Sequence, residues 1–79
     1  MTPEQAAQRL RERIRDVRLD KVAGPFWEAF DAYAAFVRVC AVAETLRPLR
    51  EMGLINQARL DQAEAERDAM IRALEAEGD

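Results

Sequence analysis

A chain of 79 residues carrying 15 acidic and 12 basic side chains, with a formal net charge of −3, is one domain at most and a poor candidate for coating DNA through bulk charge. One cysteine and no histidine exclude an internal disulfide, the common Cys/His metal frameworks and a nucleophilic Cys paired with a His base. Area scaling gives a folded surface of roughly 4,900 Å² from about 13,000 Å² unfolded, a thin core of the kind small chains usually reinforce with disulfides, a metal or association.

Thr2-Pro3-Glu4-Gln5 opens the first helix: Thr caps, Pro suits the first helical position, and Gln5 stands where a capping box requires it. Helix 1 is expected from Pro3 to Arg18, with the apolar stripe Ala6, Leu10, Ile14 and Val17. The stretch LDKVAG, Leu19 to Gly24, breaks that pattern, and Pro25 restarts it. Helix 2 is expected from Pro25 to Leu46, about 33 Å long, whereas a compact globule of this size has a radius of gyration of only about 12 Å. An elongated hairpin or bundle fits that length better than a sphere. Pro48 either bends the chain before one more turn or ends the helix, and Gly53 is a natural C-terminal cap. Asn56 caps helix 3, expected from Gln57 to Glu77 and stopped by Gly78, with Leu60, Ala63, Met70 and Leu74 in a three-four rhythm. Arg67 takes one position of that seam and Ile71 lies next to it. No strand alternation or internal repeat occurs, so the fold is all-α: a charged N-terminal helix and linker over 1–24, and an antiparallel hairpin of helices 2 and 3 over 25–79.

Helix 2 holds the strongest signal. On a wheel of 100° per residue its polar stripe is Glu28, Asp31, Ala35, Arg38, Val42 and Thr45, and the remaining arc, roughly 260°, is apolar where a surface helix needs little more than about 100°. Helices 1 and 3 offer narrow seams against four Phe or Tyr rings and a Trp. A monomeric three-helix bundle with helix 2 in the middle is one solution. The preferred solution is a homo-oligomer in which the hairpin packs on copies of itself through Phe26, Trp27, Phe30, Tyr33, Ala34, Phe36, Val37, Cys40 and Ala41. A membrane span is not expected, because Glu28, Asp31, Arg38 and Glu44 interrupt the apolar run.

The charged residues support binding more readily than chemistry. Arg11, Arg15 and Arg18 share one face of helix 1, and Arg9 and Arg13 share another. Either set can meet DNA phosphates, or the helix is simply solvated with Glu12 pairing Arg9 and Arg15. On helix 3 the carboxylates Asp61, Glu64, Glu66 and Asp68 spread over several faces, with Glu64 beside Arg67 and Asp68 beside Arg72, so neither a catalytic nor a metal cluster is expected. Cys40 reads as core packing. Arg67 either reaches an acid such as Glu44 or snorkels. No phosphate loop or base-stacking array occurs, so no enzyme, cofactor or metal is expected. A lone cysteine without a recognisable leader fits a reducing, cytoplasmic setting.

The segment FDAYAAFVRVCAVAETLRPLREMGLI, residues 30–55, resembles the central part of phage-type terminase small subunits. A polar residue precedes an Ala/Tyr-rich helix, here DAYAAF. Charged residues and a Gly followed by apolar residues close it, here REMGLI, and a helix such as LDQAEAERDAMIRALEAEG returns antiparallel. The resemblance implies a non-catalytic homo-oligomer, often a ring, whose hairpins build a hub through Phe30, Tyr33, Phe36, Val37 and Cys40. It also implies that viral or virus-like DNA is delivered to a large terminase subunit, which holds the ATPase and nuclease activities and which the C-terminus would contact. The departure is at the N-terminus, where about twenty residues of helix 1 are too few for the family's helix-turn-helix domain; weak or non-specific DNA binding is therefore implied. The rival reading is a small helical regulator or inhibitor that docks Phe26, Trp27, Phe30 and Tyr33 onto a protein partner.

Overall fold

Thr2 starts the first helix through a reciprocal pair of hydrogen bonds. The Gln5 amide donates to Thr2 Oγ1 at 3.1 Å, and the Thr2 amide donates to Gln5 Oε1 at 2.8 Å, so two donors that a helix start leaves orphaned are satisfied. The computed structural model describes residues 1–19 and 23–77, and within them the regular structure is helical: α1 spans Pro3–Leu19, α2 Ala23–Glu51 and α3 Gln57–Glu77. The middle of the expected linker, Asp20 to Val22, and the expected stop at Gly78 lie outside the described residues.

Helix α2 is longer than expected at both ends. It begins at Ala23, two residues ahead of Pro25. Pro25 is then the third helical residue, within the turn whose N–H groups have no intrahelical acceptor, so its missing N–H costs no bond. At the other end α2 continues past Leu46 and through Pro48, so of the two alternatives at the proline it is the one with a further turn that forms. The proline withholds one bond from the Glu44 carbonyl, yet the Met52 amide still reaches the Pro48 carbonyl at 3.0 Å and one more turn forms. Gly53 then adopts a φ of 78°, and the Leu54 and Gly53 amides return to the carbonyls of Leu49 (2.9 Å) and Arg50 (3.0 Å). This is the Schellman arrangement, and its left-handed residue favours glycine. Three residues on, the Asn56 Oδ1 accepts the Arg59 amide at 2.9 Å and caps α3.

Both shorter helices lie antiparallel on α2 and meet each other less than they meet it. Along α3, Glu64 faces Arg47 near the turn and Glu77 shares a groove with Ala32 and Phe36 at the far end. Along α1, Glu4 and Ala7 lie beside Val37 to Glu44, and Ile14 lies beside Phe26 to Tyr33. Ala6 and Leu10 from α1, Phe36 from α2 and Ile71 and Leu74 from α3 form one buried cluster, with Tyr33, Cys40 and Met70 packed on it. Ala43, Leu60 and Ala63 extend the buried contact between α2 and α3 toward the turn. The stripes expected for helices 1 and 3 are those that face inward.

The shape follows from the helix lengths. Twenty-nine residues make α2 about 43 Å long, close to the longest extent of 48 Å, and the radius of gyration is 14.8 Å. With 21 residues α3 is shorter by about 12 Å. The α2 residues N-terminal to Ala32 therefore project past the end of α3, and among the described residues it is α1 that flanks them.

Candidate functional site

Exposure divides the apolar arc of α2 in two. Phe36 and Ala43 are 1% exposed and face the core. Phe36, expected at the interface between copies, is thus placed in the chain's own core, because α1 and α3 converge on the face of α2 that carries it. Tyr33 and Cys40, from the same expected set, are half-buried against that core. On the other side Trp27 is 58% exposed, Phe30 42% and Val37 43%; Ala41 is exposed and Ala34 half-buried. These five follow one another at intervals of three, four, three and four, the spacing of a seam that packs on another helix. The polar stripe Glu28, Asp31, Ala35, Arg38, Val42 and Thr45 is exposed throughout, as expected.

The N-terminal end of the seam is aromatic. Phe26 and Trp27 meet edge to face with centroids 5.1 Å apart, Trp27 and Phe30 do the same at 5.7 Å, and Phe26 and Phe30 lie at 6.4 Å with planes 20° apart. These edge-to-face and offset arrangements are the ones aromatic pairs prefer. A groove lined by Ile14, Phe26, Phe30 and Tyr33 runs beside them and is bordered by Arg11 and Arg15. A second groove follows the C-terminal half of the seam past Val37, Cys40 and Ala41, bordered by Glu4 and Glu44. The apolar face therefore has a basic border at its bulky end and an acidic border at its small-residue end.

The arginines proposed for DNA phosphates separate into two groups. Arg9 donates to the Leu74 carbonyl at 3.2 Å, and Arg13 pairs with Glu77 at 2.8 Å. Helix α3 has no basic residue in its own last turn. Arg9 and Arg13, with the Met1 amino group 2.9 Å from Glu75, supply from α1 the positive charge that a helix C-terminus favours. Arg11 is exposed and donates to Gln8 at 2.9 Å. Arg15 is exposed without an ion pair among the described residues, and the side chain of Arg18 lies outside them. Neither pair expected for Glu12 forms; its carboxylate accepts from Gln8 at 3.2 Å.

On α3, Arg67 holds the two carboxylates nearest it, Glu64 at 3.8 Å and Asp68 at 3.2 Å. Glu64 also reaches Arg47 at 3.4 Å. Burial pushes the Cys40 thiol above its ordinary value; the positive charge of Arg67 pulls it down and the negative charge of Glu44 pushes it further up. Cys40 thus lies within electrostatic reach of both residues. Among the described residues no group of three or more acidic or cysteine side chains is placed to hold a metal ion, and no helix is long and apolar enough to cross a membrane.

Two features were not anticipated from the residues alone. Met52 and Leu54, 69% and 65% exposed, form an apolar tip at the α2–α3 turn, where the signal was two large apolar residues flanking Gly53. Of the opposed charged borders of the seam, Arg11, Arg15 and Glu4 come from α1 and Glu44 from α2, so the opposition is complete only once α1 is laid antiparallel on α2. Compared with models of known protein families, with curated proteins and with solved structures, the chain matches none.

Proposed function

We propose that the chain is a non-catalytic, self-associating adaptor of a DNA-packaging machine, of the kind represented by terminase small subunits in a phage, prophage or gene-transfer particle. The observation that carries the reading is the seam of α2 from Trp27 to Ala41, on which the large apolar side chains of Trp27, Phe30 and Val37 are exposed on one face of one helix. Scattered single apolar residues need no explanation, but a contiguous row marks a surface that another protein covers. The packaging role rests on the resemblance of residues 30–55 and on the helical hairpin that follows from them. In this reading the homo-oligomer links DNA to a large terminase subunit, with Arg11 and Arg15 as the described α1 arginines not tied to α3. The Met52 and Leu54 tip is a second surface available to a partner.

The test combines the chain with a large terminase subunit and linear double-stranded DNA. Expected are co-elution with the large subunit and greater DNA retention by the pair than by the large subunit alone, falling steeply with salt. An unchanged large subunit, with no retention even at low salt, would sink the packaging role. The aromatic cluster of Phe26 with the exposed Trp27 and Phe30 specifically favours a second reading, a regulator docking these rings onto an unrelated protein. In that case the chain stays monomeric and binds no component of a packaging motor.

A further inference from the structure

We infer that the α2 seam takes a second copy of the same seam, antiparallel about a two-fold axis at Ala34. This rests on the self-association half of the proposed function and specifies its geometry. Three observations converge on it.

The first is size. Along the seam the two large rings, Trp27 and Phe30, stand on the N-terminal side of Ala34, and the smaller Val37 and Ala41 stand on its C-terminal side. A parallel pair sets Trp27 against Trp27 and leaves Ala41 facing Ala41 across a gap, which close packing does not tolerate. An antiparallel pair centred on Ala34 sets Trp27 beside the partner's Ala41 and Phe30 beside the partner's Val37. The two Ala34 residues meet at the axis, where their small side chains let the helices approach.

The second observation is charge. Arg11 and Arg15 border the aromatic end, and Glu4 and Glu44 border the end that carries Val37 and Ala41. The antiparallel pair brings the basic border of each copy to the acidic border of the other, twice by symmetry. A parallel pair sets like charge against like.

Area is the third. The chain exposes 5675 Å², where a compact monomer of its mass exposes about 4,900 Å². The excess, about 800 Å², belongs to the elongated shape as a whole, 48 Å by 24 Å by 16 Å, and is of the size of one partner's share of a standard protein–protein interface. A contact of this symmetry closes at two copies, so the pair is the assembling unit.

Cysteine cross-linking tests the geometry in a Cys40→Ser background, with helicity checked by circular dichroism. About the proposed axis two Ala34→Cys thiols meet, whereas two Ala41→Cys thiols stand about 21 Å apart, beyond the Cα separation of about 7 Å that a disulfide spans. Expected are a wild-type mass of two chains, ready disulfide formation by Ala34→Cys and none by Ala41→Cys. In addition, Arg11→Glu with Arg15→Glu should raise the dissociation constant at least tenfold, and adding Glu4→Arg and Glu44→Arg to the same chain should restore it. Cross-linking by Ala41→Cys, or a wild-type assembly that Ala34→Cys does not cross-link, would overturn the two-fold geometry while leaving self-association intact. A wild-type monomer up to hundreds of micromolar would overturn self-association itself.

Discussion

Two aromatic truncations on the same helix, Phe36→Ala and Trp27→Ala, should have opposite consequences. Phe36 is 1% exposed and touches a cluster drawn from all three helices. Its truncation removes transfer energy and leaves a cavity, a loss of about 3–5 kcal/mol. Domains of this size have a total stability of roughly 4–12 kcal/mol, so Phe36→Ala should be close to unfolded or unfold in very little urea. Trp27 is 58% exposed. Of the roughly 150–250 Å² that a large aromatic can bury, about 90–145 Å² stays in water, worth about 2–4 kcal/mol per copy to whatever covers it. That figure is an upper bound, because association also orders side chains and costs translational freedom. Urea unfolding followed by circular dichroism at low micromolar concentration should place Trp27→Ala within about 1 kcal/mol of the wild type. Light scattering across a concentration series should show its self-association weakened at least tenfold. Equal destabilisation of the two variants under conditions where the wild type is monomeric would refute the reasoning, since Trp27 would then be covered by its own chain.

Other consequences follow from the caps, the proline and the cysteine. Pro48→Ala restores an amide donor to the Glu44 carbonyl inside α2 and should stabilise the monomer by about 1–3 kcal/mol; a lower urea midpoint would show instead that the proline is needed to aim the turn. Asn56→Ala removes the acceptor 2.9 Å from the Arg59 amide, and Gly53→Ala forces a side chain onto a φ of 78°. Each should cost about 1 kcal/mol by urea titration, and a change below about 0.3 kcal/mol for either would dismiss that cap as a determinant of the turn. Because the folded state holds the Cys40 proton more tightly than the unfolded chain, stability should fall as pH rises through the thiol's ordinary range and level off above the raised folded value. Cys40→Ser should flatten that slope, and an unchanged slope would assign it to another group. Arg67→Met removes the opposing positive charge, so it should slow alkylation of Cys40 near pH 8 relative to wild type; a faster rate would mean that Arg67 shields the thiol rather than favouring its thiolate.

Much of this architecture was legible because its determinants are local. Thr2 with Gln5, Asn56 and Gly53 each specify a boundary through bonds reaching at most five residues along the chain, and all three act as their residue types require. The two ends of α2 were less legible for the opposite reason. Proline is read as a boundary by its local cost, but Pro25 falls where no bond is lost, and Pro48 loses one bond in a helix otherwise held by Ala43, Leu60 and Ala63 below it. Tertiary contact outweighs the local penalty there.

The interface set divides for a similarly physical reason. A wheel shows that α2 is too apolar for one covering face, and it correctly reserves Glu28, Asp31, Ala35, Arg38, Val42 and Thr45 for water. What it cannot assign is which part of the remaining arc the chain covers itself, since that depends on where two separate helices land. They land on the Phe36 side, close around it, and leave the opposite edge as the seam from Trp27 to Ala41. Helix α1 decides which charges border what is left. By reaching α3 through Arg9 and Arg13 it turns those arginines inward, and by lying along α2 it sets Arg11 and Arg15 at one end of the seam and Glu4 at the other. The same helix that completes the core thus places Arg11 and Arg15 at the aromatic end of the exposed face and Glu4 at the other, and it is this opposition on which the proposed antiparallel pairing rests.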